Sequence, residues 1–218
     1  MKDIKAIKGR YYIQRLIDEG EHEHQDFKFQ ISDARKIARS ISAFSNNDGG
    51  RLLIGVKDNG TIAGVRSEED IYMIEAAARS YCTPEVEVDI TAFLCEGGAV
   101  VYRATIPRCA TRPVFVREEG ATLRAYLRVA DENIAVPDIM VRAWQRSASS
   151  EGSLLTFSPA ERALLQYLGQ HGIADPSRFH LEAHISLPAA EDAITRLASL
   201  GIITFTHTSG RFLLALTD

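Results

Sequence analysis

Apolar residues recur at helical spacing twice near the start of the chain. This pattern predicts helices over about residues 10–19 and 33–44. Two short apolar runs follow, at 52–56 and 61–65, and Asn59-Gly60 between them indicates a β-hairpin, because both turn positions of such a hairpin need positive φ. The pattern further predicts a strand around residues 27–29, a helix from residue 67, strands at about 84–94, 99–107, 113–117 and 122–129, and a helix at about 137–147. Helices and strands mixed in this way indicate an α+β fold.

The C-terminal part has a separate pattern. Its periodicity predicts helices at about 158–170, 178–184 and 187–200, followed by strands at 202–205 and 211–216. Three helices and a hairpin is the order of a winged-helix-like domain, which often reads DNA with its third helix. That helix carries Glu191, Asp192 and a single arginine, Arg196, so its surface is poor for phosphate contact. We therefore favour dimerisation or packing over DNA reading for this part, which would make the protein a homo-oligomer.

Length and composition favour a cytoplasmic protein of two domains. The chain has 218 residues, and the small polar residues at 148–157 predict a linker between domains at 1–147 and 158–218. No apolar segment resembles a signal peptide or a membrane span, and three unpaired cysteines favour reduced thiols. The formal net charge of -4 means that any nucleic-acid contact must come from local clustering of basic residues.

The best basic cluster lies around the second predicted helix. Lys28 precedes this helix, and Arg35, Lys36 and Arg39 share its side opposite the apolar residues. A few phosphate contacts there would give salt-sensitive binding, although a solvated helix face would show the same pattern. Asn46 near the helix end could contact a ligand or cap the helix. Gly49 and Gly50 come before a strand without a Walker motif, so they favour a turn over a nucleotide phosphate loop.

A set of motifs in a fixed order runs through the same region. It comprises Glu21, Asp26-Phe27-Lys28, Ala43-Phe44-Ser45-Asn46-Asn47-Asp48-Gly49-Gly50, Ile54-Gly55-Val56, Asp58 and, downstream, Tyr126-Leu127-Arg128-Val129. This order resembles the Schlafen-type AlbA-like domain over roughly the first 130–145 residues. The resemblance implies an AlbA-like mixed sheet with flanking helices. It also implies nucleic-acid binding (DNA or RNA), as in bacterial DNA-binding transcriptional regulators, with Arg128 as a weaker phosphate contact.

The same resemblance implies an alternative chemistry. In some vertebrate Schlafen proteins three acids form a metal-dependent ribonuclease site. Glu21 and Asp26 match the first two of those positions, and Asp58 is the nearest candidate for the third. Oxygen ligands of this kind would suit Mg²⁺ or Mn²⁺, and no cofactor is expected otherwise. Two departures from the family pattern argue against assigning this ribonuclease site directly to the present chain. Asp26 replaces the usual glutamate, and Ala130 follows Val129 where the family usually has glycine. Asp58 would also be an ordinary residue at the start of a hairpin turn.

These observations predict a nucleic-acid-binding protein, with DNA-binding transcriptional regulation as its finer role. A divalent-metal nuclease and a protein-interaction module remain the alternatives.

Overall fold

The computed structural model describes residues 4–147 and 157–217, so most of the predicted linker at 148–157 lies outside the described residues. The chain divides into two compact units, 1–135 and 136–218. None of the helices in the described part of the chain combines the length and the apolar character needed to cross a membrane.

The first unit combines two sheets with three helices. In chain order its elements are β1 (Ile7–Lys8), α1 (Arg10–Asp18), β2 (Gln25–Lys28), α2 (Ala34–Asn46), β3 (Gly50–Ile54), α3 (Glu69–Ala76), a π-helical turn (Ala77–Tyr81), β4 (Cys82–Thr83), β5 (Asp89–Leu94), β6 (Val100–Ile106), β7 (Phe115–Arg117), β8 (Leu123–Val129) and β9 (Glu132–Ala135). One sheet has the strand order β1-β5-β6-β3-β2 and the other β4-β7-β8-β9. The pairs β1–β5 and β2–β3 are parallel and the other pairs antiparallel, which confirms the predicted α+β class.

Side-chain alternation along β2 and β3 separates two layers of core. Phe27 lies opposite Leu53, and both pack in the cluster that contains Ile13 of α1. Leu52 instead packs in the cluster of α2, which also contains the fully buried Phe44. Asp26 and Lys28 alternate with Phe27, so they project toward the α2 side of the sheet. This alternation decides which acids and bases of β2 can meet.

The predicted hairpin after β3 is only partly present. Gly60 has positive φ, as the Asn-Gly turn requires, but residues 61–65 form no strand. The two arms meet at a single bridge between Val56 and Ile62. Both edges of β3 are already occupied, by β2 and β6, so a hairpin partner can pair only beyond the strand end. The prediction of a strand at 61–65 was therefore wrong.

The second unit contains four helices and a small sheet. Its elements are α4 (Asp138–Ser147), α5 (Pro159–His171), β10 (Ile173–Ala174), α6 (Phe179–Glu182), α7 (Leu187–Ser199), β11 (Ile203–Thr208) and β12 (Arg211–Leu216), with the strand order β10-β12-β11. A partly buried ion pair joins Arg196 of α7 to Glu161 of α5 at 2.8 Å. The helices and the final hairpin follow the predicted order, while the winged-helix assignment stays a prediction.

Helix α4 packs along α7 within this second unit. Arg142 pairs with Glu191 at 3.0 Å, and Arg146 with Asp192 at 3.1 Å. The Ser147 hydroxyl adds a hydrogen bond to a carbonyl of the last turn of α7. The two acids that make α7 a poor phosphate surface are thus matched by arginines of a neighbouring helix.

Candidate nucleic-acid interface

Glu21 and Asp26 form a carboxyl pair at the start of β2. A tight turn between them, closed by backbone hydrogen bonds between His22 and Gln25, folds Glu21 back along the strand. One Glu21 oxygen accepts a hydrogen bond from the Phe27 amide at 2.8 Å. The side chains of Glu21 and Asp26 are also hydrogen-bonded to each other. Burial and the hydrogen bond with Asp26 raise the pKa of Glu21 to about 7. Below about pH 7 the pair therefore holds one proton, and that proton lies on Glu21.

Asp26 remains ionised because two cations hold it. Its side chain contacts Lys28 Nζ at 2.7 Å and Arg128 Nη2 at 3.1 Å. Burial alone would raise the pKa of Asp26, but the hydrogen bond with Glu21 and the charges of Lys28 and Arg128 outweigh it and lower the pKa. Asp26 is only 3% exposed, so its charge is neutralised inside the protein.

The sequence predicted that Arg128 contacts phosphate, but the structure places this residue in the interior. It is 3% exposed, its guanidinium stacks 5.4 Å from the Phe44 ring centre, and it donates to Asn133 at 3.1 Å. Asn133 belongs to β9, a strand that the sequence pattern did not indicate. In this structure Arg128 therefore supports Asp26 and offers no donor to an outside ligand.

Asn46 is likewise fully buried. Its amide donates to the carbonyls of Val114 and Tyr126 at 3.0 and 2.9 Å, and its oxygen accepts from the Val114 amide at 2.8 Å. These bonds attach the end of α2 to the backbone of the second sheet. Of the two roles that the sequence left open, ligand contact and structural capping, this placement favours a structural one.

The two arginines of α2 face a pair of glutamates after β7. Arg39 makes a bidentate ion pair with Glu118, with both hydrogen bonds at 2.7 Å, and Glu118 also accepts from the Tyr126 hydroxyl at 2.6 Å. Burial and this last bond raise the pKa of Tyr126 to about 12. Arg35 pairs with Glu119 at 2.9 Å, but Glu119 is 88% exposed, so that bridge is weak. Lys36 is exposed, and no ion pair is seen for it among the described residues. The predicted basic cluster is therefore neutralised at Arg39, weakly paired at Arg35 and open at Lys36.

The third predicted metal ligand, Asp58, stands apart from Asp26. Asp58 is exposed in the turn after β3 and lines, with Glu21, a depression of about 450 Å³. Asp26 does not line this depression, and its carboxylate already contacts two cations. Within the described ranges, no three histidine, cysteine or acidic residues are grouped so that they could hold a metal ion. The acids as placed here do not fit the divalent-metal site that the resemblance implied.

A second group of cations surrounds Phe29, just beyond β2. Lys57 Nζ lies 5.6 Å and the Arg66 guanidinium 5.4 Å from the centre of the Phe29 ring. Lys57 and Arg66 are exposed, Phe29 is half-buried, and the described contacts include no carboxylate partner for either cation. We call these three residues the Phe29 surface. Sequence reasoning missed it because Lys57 and Arg66 lie on either side of the Asn-Gly turn, far from Phe29 along the chain.

Comparison with known proteins identifies the first unit. The family model described as Schlafen, AlbA_2 matches residues 21–137, more than half of the chain. The chain belongs to this family. The matched AlbA_2 region begins at the carboxyl pair and includes α2, the Phe29 surface and both glutamates that pair with α2. This membership confirms the AlbA-like fold expected from the motifs and supports a nucleic-acid-related role.

Solved structures add more distant likenesses to this AlbA_2 protein. The DIP2311 protein from Corynebacterium diphtheriae is similar at 22% identity and a TM-score of 0.42, over 88% of this chain and 34% of that chain. This chain therefore spans only about a third of that one. The N-terminal domain of a RecG-related protein from Nitrosomonas europaea is similar at 17% identity and a TM-score of 0.41, over 67% of this chain and 95% of that chain. No curated protein matches the chain.

Proposed function

We propose that this protein binds nucleic acid through its AlbA_2 domain, at the Phe29 surface. The observation that carries the proposal is the position of Lys57 and Arg66, two exposed cations held within 5.6 Å of one aromatic ring. Proteins that bind single strands combine cations for the backbone with aromatic or guanidinium planes on which bases stack. The Phe29 surface offers both elements in one place.

Charge pairing supports this surface over the arginines of α2. A phosphate that approached Arg39 would have to displace the bidentate Glu118, whereas Lys57 and Arg66 have no carboxylate to give up among the described contacts. Lys36 is a further available cation, and Arg35 becomes available if its exposed partner Glu119 moves away. Lys28, adjacent to Phe29, is committed to Asp26. The binding we propose is therefore moderate in affinity and salt-dependent.

The test replaces both cations of the surface by glutamine. We expect Lys57→Gln with Arg66→Gln to weaken binding of a fluorescent single-stranded oligonucleotide and to lower the salt slope of log K, since each lost phosphate contact removes about 0.7 from that slope for single strands. Fluorescence anisotropy over a salt series measures both quantities. DNA and RNA of the same sequence, single-stranded and duplex, show which form is preferred.

The matched control is Lys5→Gln with Lys8→Gln, which makes the same charge change at exposed lysines near the start of the chain. If the two double variants bind alike, the loss reflects net charge only. Unchanged affinity and slope in the Lys57 and Arg66 variant would rule out the Phe29 surface.

Regulation of transcription is the finer role that we propose for such binding. It requires preference for particular sites in duplex DNA, and the competition of specific against random duplexes measures that preference.

Self-association through the C-terminal unit is proposed separately, and the molar mass of the whole chain in solution tests it. A monomer at all accessible concentrations would contradict self-association. We do not propose the metal-dependent nuclease, because Asp26 and Asp58 do not converge.

A further inference from the structure

An arginine-lined depression of about 350 Å³ lies away from the Phe29 surface, beside the start of β3 and the end of β6. Strand register explains its composition. Arg51 of β3 lies directly opposite Thr105 of β6, and Arg103 lies two residues before Thr105. All three therefore share the α1 face of the sheet, where Tyr12 of α1 adds an aromatic wall. Arg108, just after β6, completes the basic lining.

Arg103 is the distinctive residue of this depression. Its guanidinium stacks against the rings of Tyr12 and Phe93, 5.6 and 5.5 Å from their centres, and one terminal nitrogen donates to the Tyr12 hydroxyl. No carboxylate partner is found for Arg103 in the described contacts, and its Nε atom is buried without a hydrogen-bond partner there. The neighbouring Thr105 hydroxyl is also buried and unpartnered among described residues. Each of these two groups costs free energy as long as it makes no hydrogen bond.

Ion pairs account for two of the three arginines around the depression. Three arginines line it against one carboxylate, Asp48, which pairs with Arg108 at 2.7 Å on the exposed rim. Arg51 is held from outside the depression by Glu19 and by the Gln25 amide oxygen. His24 also lines it, and its Nδ1 donates to the Gly49 carbonyl at 2.9 Å, which leaves Nε2 as its second polar atom. Arg103 is therefore the one lining arginine for which the described contacts include no carboxylate.

We propose that this depression binds a phosphate group carried by a nucleotide or by a nucleic-acid strand. Guanidinium groups bind phosphate oxygens through paired hydrogen bonds, and Arg103 is held rigid by its stacking, so it loses little conformational entropy on binding. The Thr105 hydroxyl supplies a neutral donor next to it. The volume lies near the lower end of the range for small-ligand sites, about 300–1,000 Å³, which suits a phosphate with its sugar. Gly49 and Gly50 provide no phosphate loop in this site. A Cβ on Gly50 would lie 2.3 Å from the Phe44 ring, so these glycines serve packing.

The experiment uses the whole protein and two kinds of probe. A nucleoside monophosphate and the corresponding unphosphorylated nucleoside are titrated by calorimetry, and an oligonucleotide with or without a terminal phosphate is titrated by fluorescence anisotropy. We expect the phosphorylated member of at least one pair to bind more tightly. Arg103→Gln should then weaken that binding roughly tenfold or more, as expected for the loss of a hydrogen bond to a charged group. The nucleoside monophosphate and the oligonucleotide distinguish the two sources of phosphate.

Two further variants cover the case in which Arg103→Gln fails to fold. Arg108→Gln changes an exposed arginine of the same depression, and Thr105→Val removes the hydroxyl at nearly constant volume. Arg117→Gln, an exposed arginine that bonds only to Thr83 among the described contacts, is the matched control and should leave binding unchanged. Equal affinity for phosphorylated and unphosphorylated probes, or unchanged binding in folded variants of this depression, would overturn the proposal. The variants of this depression and those at Lys57 and Arg66 share no residue. The phosphate site and the Phe29 surface can therefore be refuted independently of each other.

Discussion

Replacing Glu21 by glutamine should make the protein more stable above neutral pH. The pKa of Glu21 is raised from 4.5 to about 7, so between these values the folded state binds a proton that the unfolded state has released. Stability of the native protein should therefore fall as pH rises from 4.5 to about 7 and stay constant above that range. A glutamine amide keeps the hydrogen bond to Asp26 at every pH and does not titrate.

The structure bounds the size of this effect. The pKa difference, at about 1.4 kcal/mol per unit, corresponds to an upper limit of roughly 3 kcal/mol. Glu21 is only partly buried, so solvent screening reduces the expected difference to about 1 kcal/mol. Urea denaturation followed by far-UV circular dichroism, from about pH 5 to about pH 8, measures it as the gap between wild type and Glu21→Gln. Fluorescence of Trp144, the single tryptophan, follows the C-terminal unit and serves as an internal control.

Asp26→Asn separates this effect from general damage to the site. It leaves Lys28 and Arg128 without their carboxylate, and breaking a buried pair of this kind costs about 3–5 kcal/mol at any pH at which the carboxylate is ionised. Because the pKa of Asp26 is lowered, its stabilising contribution is present above the ordinary aspartate range and disappears only in acid. Parallel stability curves for wild type and Glu21→Gln would refute the shared proton.

Three further substitutions test the internal contacts of the AlbA_2 domain. Asn46→Ala should destabilise the protein by about 3 kcal/mol, because it leaves buried backbone groups without partners; a loss near zero in urea denaturation would contradict its structural role. Gly50→Ala should cost about 1–3 kcal/mol through overlap with the Phe44 ring, and an unchanged melting temperature would count against this packing argument. Arg39→Gln should lower stability by about 2 kcal/mol by removing the partner of Glu118, while oligonucleotide affinity stays within error; a large loss of affinity in the folded variant would restore Arg39 as a phosphate contact.

Long periodic elements of this fold are predictable from the sequence because their signals are local. Helix α2 was expected over 33–44 and runs over Ala34–Asn46, and strands β6 and β8 lie within the predicted ranges. The wrong predictions concern strands, whose existence depends on pairing with a neighbouring strand. Strand β9 has only four residues, two of them polar, and it exists because β8 offers it an edge, which no local pattern reveals. The predicted strand at 61–65 failed for the converse reason, since β3 had no free edge left.

The candidate site shows the same division between local and distant information. Glu21 and Asp26 were expected together and do meet, because the turn between them is short. Arg39 and Arg128 look like free cations in the sequence, yet their partners lie 79 and 102 residues away, counting 39 to 118 and 26 to 128. Side-chain pairing over such separations depends on which strands become neighbours.

Basic residues on a helix therefore predict phosphate contact only after internal acids have been assigned. Here the two arginines of α2 face Glu118 and Glu119, whose position after β7 is set by the second sheet. Such pairs hold the helix to the sheet, and they lower the positive potential that a phosphate would meet. Cations without carboxylates arise instead where strands end or where register places arginine beside a hydroxyl, as at Lys57 and Arg103. If nucleic acid binds this AlbA_2 domain, substitutions at Lys57 and Arg103 should change its affinity and substitution of Arg39 should not. This is expected although α2 carries the most conspicuous basic run in the sequence.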